Sequence, residues 1–403
     1  MLNGKFVLVC VLLTVMAPRL LALGIRLADQ DAFATARGDA FVATADNPSA
    51  IYYNPAGITQ LPGHNLSLGV YSVYLKSEYT APDGTRFDTK DEVQAVPRFY
   101  YTLRPRNHPL AYGLGFYSPY GLGLEWPDSS SFRTLAKEGR IQYLTMHPVV
   151  AWEIIPALSV AAGPTLNYAK TTLKRGIALP GDAFEFKGDD TDLGYAVGLL
   201  WKPHAKHALG VSYRSETTMD FSGHAEAAPY APRESADARF EFPQNIVVGW
   251  SFRPTPEWNL EFNADWTDWE RLNMVTLNQL TSPPVYLPFN WRSSWFYEWG
   301  VTRYFHNGYA LSAGYIFSEN SVPDASFNPT VPDSDRHIFS LGLGRKYRHF
   351  SWDAAYQLAY GPCRTVSGSP VNPNPLVPGL SESANGRYEF ISHALTVSFG
   401  YSF

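Results

Sequence analysis

"ALTVSFGYSF" stands at residues 394–403. Leu395, Val397, Phe399, Tyr401 and Phe403 alternate with Ala394, Thr396, Ser398, Gly400 and Ser402. Successive side chains of a strand point to opposite faces. The segment therefore reads as a strand with one large apolar side and one small or polar side. Four further segments repeat the pattern. Leu193, Tyr195, Val197, Leu199 and Trp201 oppose Gly194 and Gly198. Leu260, Phe262, Ala264 and Trp266 oppose Glu261 and Asp265. Leu311, Ala313, Tyr315 and Phe317 oppose Ser312 and Gly314. Trp352, Ala354, Tyr356, Leu358 and Tyr360 oppose Asp353 and Gln357.

A soluble sandwich also alternates, and the connections separate the two cases. Short turns ("RPRNHP" at 104–109, "IP" at 155–156, "KPHAKH" at 202–207, "HNG" at 306–308) alternate with long polar stretches near 77–90, 121–139, 172–190, 220–239, 271–293, 318–336 and 362–387. Aromatic residues crowd strand ends, as in "DWTDWE" (265–270) and "WFYEW" (295–299). Short turns on one side, long loops on the other and aromatic girdles mark an outer-membrane barrel. The pattern predicts an all-β fold: a closed antiparallel transmembrane β-barrel of 14 strands over residues 64–403. An even count places both barrel ends on the short-turn, periplasmic side.

Composition agrees. Aromatics make up 15% of the 403 residues and charged residues 17%, against about 25% charged in an average soluble domain. The net charge of −5 gives no basic field for nucleic acid. Lys5 followed by "FVLVCVLLTVMA" (6–17) reads as a signal peptide, residues 1–23, too short for a spanning helix. Cys10 falls in that leader, which leaves Cys363 without an intrachain partner. A protein in the membrane without apolar helices must cross it with strands.

Residues 24–63 precede the first strand and lack alternation. "ADNPSAIYYNPAGITQLPG" (45–63) is apolar and broken at once. Pro48 and Pro55 fix φ, and Ile51, Tyr52, Tyr53 and Ile58 are costly in water. A 14-stranded barrel leaves a lumen, so this segment is expected to be a plug inside it.

The same stretch carries a family resemblance. "GIRLADQDAFATARGDAFVATADNPSAIYYNPAGI" (24–58) resembles the N-terminal hatch of the FadL/TodX (OMPP1) outer-membrane transport proteins for hydrophobic compounds, with the hallmark Asn54-Pro55-Ala56 and the following Gly57. "FYSPYGLGLEWP" (116–127), "WTDWERL" (266–272) and "SENSVPDASFNPTVPDSDRHIFSLGLG" (318–344) are similar to further segments of that family. The resemblance implies a fourteen-stranded barrel closed by a hatch. It implies passive transport of long-chain fatty acids or aromatic hydrocarbons, with a pocket, a shifting hatch and lateral exit through an inward kink of the third strand. Pro119, Tyr120 and Gly121 are the expected kink, since a strand proline removes an N–H from the ladder; Pro164 is a rival. A fatty-acid carboxylate would want a cation at the pocket rim. Arg140, Lys174 and Arg175 are the candidates.

No catalytic motif, metal-ligand set or cofactor signature stands out, so no enzyme, metal or cofactor is expected. His204 and His207 read as a solvated turn, and Asp324, Asp333 and Asp335 as solvated loop acids or partners of Arg336. The expected partners are a hydrophobic small molecule, outer-membrane lipid and lipopolysaccharide, and a closed barrel with its own plug is expected to be a monomer. The competing readings are an outer-membrane lipase, for which His147 and His393 show no evident partner, and an adhesin.

Overall fold

In a computed structural model, residues 25–374, 378–379 and 381–403 are described. The signal-peptide reading, residues 1–23, lies outside the described residues. The wall strands are β1 (Gly63–Thr80), β2 (Val93–Arg104), β3 in two arms (Leu110–Tyr117 and Gly121–Glu125), β4 (Glu138–Ile155) and β5 (Leu158–Arg175). There follow β6 (Ala183–His204), β7 (His207–Arg214 and Thr217–Ala228), β8 (Ala231–Phe242 and Asn245–Phe252), β9 (Trp258–Thr267) and β10 (Ser294–Tyr304). The last four are β11 (Tyr309–Ser318), β12 (Arg336–Tyr347), β13 (Phe350–Val366) and β14 (Gly386–Ser402). Each pairs antiparallel with the next. β14 returns to β1, from Asn65 opposite Ser402 to Thr80 opposite Arg387. The sheet is a closed barrel of 14 strands. Closure leaves no terminal strand with a free edge in lipid.

Side-chain size decides which face turns in. On β14, Leu395 and Phe399 are 57% and 63% exposed, whereas Thr396 and Ser398 are buried. The same parity holds along β6, but the chemistry inverts. In its lower part Leu193, Tyr195 and Trp201 face outward; in its upper part Phe186 faces inward, while Asp189 on the other face is exposed. β7 and β8 do likewise: Met219, Phe221, Phe240 and Phe242 are buried, and Arg239 is exposed.

This inversion corrects the loop reading. The stretches near 172–190 and 220–239 are largely paired strand, because β6 starts at Ala183 and β7–β8 close in a hairpin between Ala228 and Ala231. They stand above the lipid, so a search for an oily outer face passes over them. Trp269 also departs from the girdle reading. It turns inward against Trp291, with ring centroids 5.0 Å apart.

Residues 25–60 lie within the wall. Two short helices, α1 (Ala32–Ala36) and α2 (Ala50–Tyr53), precede a 3₁₀ turn at Pro55–Gln60. Asp31 caps α1 by accepting from the Phe33 and Ala34 N–H groups. Phe41, Ile51 and Ile58 are fully buried. The inner wall is cut back to receive this segment. A Cβ on Gly300 would fall 2.5 Å from the Arg37 carbonyl oxygen, and one on Gly342 2.5 Å from Ala36 Cβ. Gly198, Gly210 and Gly314 meet Asn54, Val42 and Gly38 more closely still. The inward positions of β6, β7, β10, β11 and β12 thus form a glycine collar.

Candidate functional site

β3 stops at Tyr117 and resumes at Gly121. Its pairing with β4 shifts by one residue there, from Tyr117 opposite Thr145 to Gly121 opposite Gln142. Its pairing with β2 spans only Phe99–Phe116 to Leu103–Tyr112. Pro119 has no N–H to give a ladder and a fixed φ. The freed backbone is taken up from inside. Leu27 N–H donates to the Pro119 carbonyl (2.8 Å), Gly121 N–H to that of Ile25 (2.7 Å) and the Gln30 side chain to that of Ser118 (2.8 Å). Pro119-Tyr120-Gly121 therefore lies within the wall, rather than where a strand enters a loop. β5, which carries Pro164, runs unbroken from Leu158 to Arg175.

Arg26 bridges Tyr120 through its backbone and crosses the lumen with its side chain. Its guanidinium donates to Asp265 (2.6 Å) and Thr267 (2.9 Å) on β9. The Tyr120 hydroxyl donates to the Pro243 carbonyl, 2.7 Å away, in the break between the two arms of β8. Below lies a polar seam. Burial, with Asp29 and Glu298 close by, pushes the Asp39 carboxyl well above the usual carboxylate range. Burial also raises Asp29, against donors that include Gln357.

Above Ile25 the inverted strands line a closely packed apolar chamber with about 20 Å³ of free space. Ile25, Phe186, Phe221, Phe240, Phe289 and Trp291 line it. A second recess, with about 40 Å³ of free space, shares Leu173, Phe289 and Thr330 with it and ends at Lys174 and Arg175.

The three candidate cations differ. Arg140 is surrounded by carboxylates: Glu138, Glu92 at 3.1 Å and Glu125 at 3.7 Å. Lys174 Nζ lies 3.8 Å from Glu185. Arg175 stacks over Phe184 at 5.3 Å, and no described carboxylate lies within ion-pair reach of it. Lys174 and Arg175 share the recess; Arg140 does not line it.

Asn54, Pro55, Ala56 and Gly57 sit at the foot of the segment. The Asn54 amide donates to Val42 and, across to the wall, Leu199 carbonyls (2.8 and 2.9 Å), and its oxygen accepts from Ala56 N–H (3.2 Å). Pro55 opens the 3₁₀ turn, where a missing N–H costs nothing. The motif thus braces the segment internally and against β6 opposite Gly198.

Both unassigned histidines meet tyrosines: His147 Nδ1 is 2.9 Å from the Tyr117 hydroxyl, and His393 Nδ1 2.7 Å from that of Tyr356. Asp333 pairs with Arg336 at 3.0 Å and Asp324 with Arg364 at 2.5 Å. Sequence reading missed Arg26 and the collar. The collar left a signal in the inward glycines of the alternating segments, whereas Arg26 left only a cation in an otherwise mixed stretch.

This is an outer-membrane β-barrel whose bore is filled by its own N-terminal segment. The chain belongs to the family of outer membrane transport proteins described as OMPP1/FadL/TodX, whose model matches residues 13–403. Family members are transport channels rather than enzymes. Among curated relatives, the long-chain fatty acid transport protein of Escherichia coli K12 is 21% identical, over 90% of this chain and 89% of its own. Outer membrane protein P1 of Haemophilus influenzae is 19% identical, over 79% and 82%. Among solved structures, a Pseudomonas aeruginosa FadL homologue superposes with a TM-score of 0.84 at 20% identity, covering 94% of this chain and all of that one. The Pseudomonas putida toluene transporter TodX gives 0.73 at 16% identity, covering 95% and 100%.

Proposed function

We propose that this protein carries long-chain fatty acids passively across the outer membrane. Cargo enters between the apolar side chains of the chamber, which part to admit it, with its carboxylate at Arg175. Residues 25–60 act as a hatch, and cargo leaves sideways where β3 is broken at Pro119. The observation that carries the reading is the chamber whose floor, Ile25, also bonds the broken strand. Displacing Ile25 loosens the backbone hydrogen bond that holds Gly121. An acyl chain gains about 0.8 kcal/mol per buried CH₂, so an apolar route from chamber to lipid costs it less than a watery bore.

Arg175 is the specificity argument. It lies at the end of an apolar recess without a described carboxylate partner. A carboxylate cargo supplies one; an aromatic hydrocarbon does not. Transport of aromatic hydrocarbons in the same fold is the second reading, favoured by the rings of Phe186, Phe221, Phe240, Phe289 and Trp291.

The test is uptake of labelled oleate and of toluene by cells carrying wild type or Arg175→Gln. The variant is expected to lose about tenfold in oleate affinity, the scale of one charge-assisted contact, with toluene unchanged. Toluene uptake with no oleate uptake in the wild type would favour the aromatic reading. Uptake of neither would end the transport proposal for these cargoes.

A further inference from the structure

The opposite end of the bore holds a recess that the cargo route does not use. It has a volume of about 280 Å³ and lies between residues 43–46 and 60 and two periplasmic turns. Lys202, His204, Lys206 and His207 face it from the β6–β7 turn, and Arg253 from the β8–β9 turn. One carboxylate lines it, Asp46, and Arg253 Nη2 already lies 3.0 Å from it. The Lys202 ammonium donates to the Gln60 side-chain oxygen, which is neutral.

The neighbouring acids are spent elsewhere. Glu153 pairs with Arg104 at 2.8 Å. Glu261 lies behind Thr44; it accepts from the Ala43 and Thr44 N–H groups (2.7 and 3.1 Å) and faces Arg37. Lys202 and Lys206 therefore carry two positive charges into the recess; Asp46 and Glu153 act on Lys202 from beyond ion-pair distance, and each has an arginine as its direct partner. Like charges fixed on one short turn repel, and an anion between them removes that cost.

We propose that this recess binds a carboxylate or phosphate anion at the periplasmic mouth. The anion sits between Lys202, Lys206 and Arg253. It competes with Gln60 for Lys202 and with Asp46 for Arg253, two contacts that tie residues 43–60 to the turns. The site lies on the far side of that segment from the chamber, so it stands whatever the cargo proves to be.

The experiment uses the mature chain in neutral detergent, titrated calorimetrically with inorganic phosphate and with acetate. Neither has a tail to enter the chamber. A third arm places the protein in nanodiscs of phosphatidylcholine with or without phosphatidylglycerol and repeats the phosphate titration. Saturable binding of phosphate or acetate is expected. It should weaken about tenfold in Lys202→Gln/Lys206→Gln, and it should weaken in the wild type as salt rises. Competition by phosphatidylglycerol identifies a lipid headgroup as the natural anion, and its absence a free one. A heat-modifiable band on gels checks that the variant barrel is folded, and Lys206→Gln alone, on the exposed turn, serves as a milder second variant. No saturable binding in any arm, or equal binding by wild type and the folded double variant, overturns the proposal.

Discussion

Two parts of the N-terminal segment are held in different ways. Residues 25–30 are bonded to the wall by directional contacts: backbone hydrogen bonds to the break in β3 and the Arg26–Asp265 pair. Residues 36–58 are hydrogen-bonded too, through Ala43 and Thr44 to Glu261, Asp46 to Arg253 and Asn54 to the Leu199 carbonyl, but they add a fit by shape, with backbone pressed against inward glycines of five strands. Hydrogen bonds can be exchanged one at a time, for water or for another partner. A backbone seated in glycine sockets moves only by withdrawing from several strands at once. The difference supports the proposal that the first part moves while the second keeps the bore closed.

The strongest way to break this comparison is to fill a socket. Val at position 314 favours a strand, so Gly314→Val leaves β11 intact, but its side chain occupies the place of Gly38. Overpacking of this kind costs about 1–3 kcal/mol. The plug is expected to lift, giving raised conductance in planar bilayers and tryptic cleavage at Arg37, which is fully buried in the wild type. Ala313→Val on the outward face of the same strand should do neither. Tight bilayers and an uncut Arg37 in the Gly314 variant would mean that the collar does not hold the segment.

Repairing the wall probes the other part. Replacing Pro119-Tyr120-Gly121 by Val-Thr-Val restores an N–H and adds three β-branched side chains, which favours a continuous β3. Uptake of the transported cargo is expected to fall about tenfold, a barrier increment of about 1.4 kcal/mol. Cargo binding in detergent should be unchanged, because neither Pro119 nor Gly121 lines the chamber. Unaltered uptake would move the exit elsewhere in the wall.

How much of this was legible follows from where lipid imposes its rule. Within the membrane each strand must be oily outside and small inside, so alternation at 394–403 or 193–201 fixes both strand and face. Above the membrane that constraint lapses, and the strand tips of β6, β7 and β8 hide behind an inverted pattern. Yet those tips build the chamber, so the part that shapes the cargo site is the part the pattern does not reach. Arg175 could be proposed from its place at a strand end. That Arg140 is already satisfied by three acids depends on neighbours up to 48 positions away, which no local pattern contains. Arg26–Asp265, with 239 positions between partners, is beyond reach for the same reason.

Two carboxyls sharpen the comparison with a smaller effect, through pH of opposite sign. Burial, then Asp29 and Glu298, raise Asp39 in the polar seam. Its contribution to stability is present at low pH and is lost as pH rises above the ordinary carboxylate range toward its raised folded value. Asp39→Asn keeps the oxygen that accepts from the Tyr53 hydroxyl (2.8 Å) and removes the charge. It is expected to steady the plug at pH 8, with slower hydrogen exchange over residues 25–45, and to change little at pH 4. In the extracellular loop, burial opposes ionisation of Asp182, but N–H groups of Ile177, Leu179 and Ala178 and the Arg133 guanidinium outweigh it and hold the carboxyl below its usual value. That contribution is present at neutral pH and goes only as pH falls through the depressed folded value. Asp182→Asn should therefore loosen the loop at pH 7, with faster exchange at residues 177–179, and the gap to wild type should close in strong acid. If the two variants shifted exchange in the same direction with pH, plug and loop would share one electrostatic environment, and the division between a polar seam below and a clasped roof above would fail.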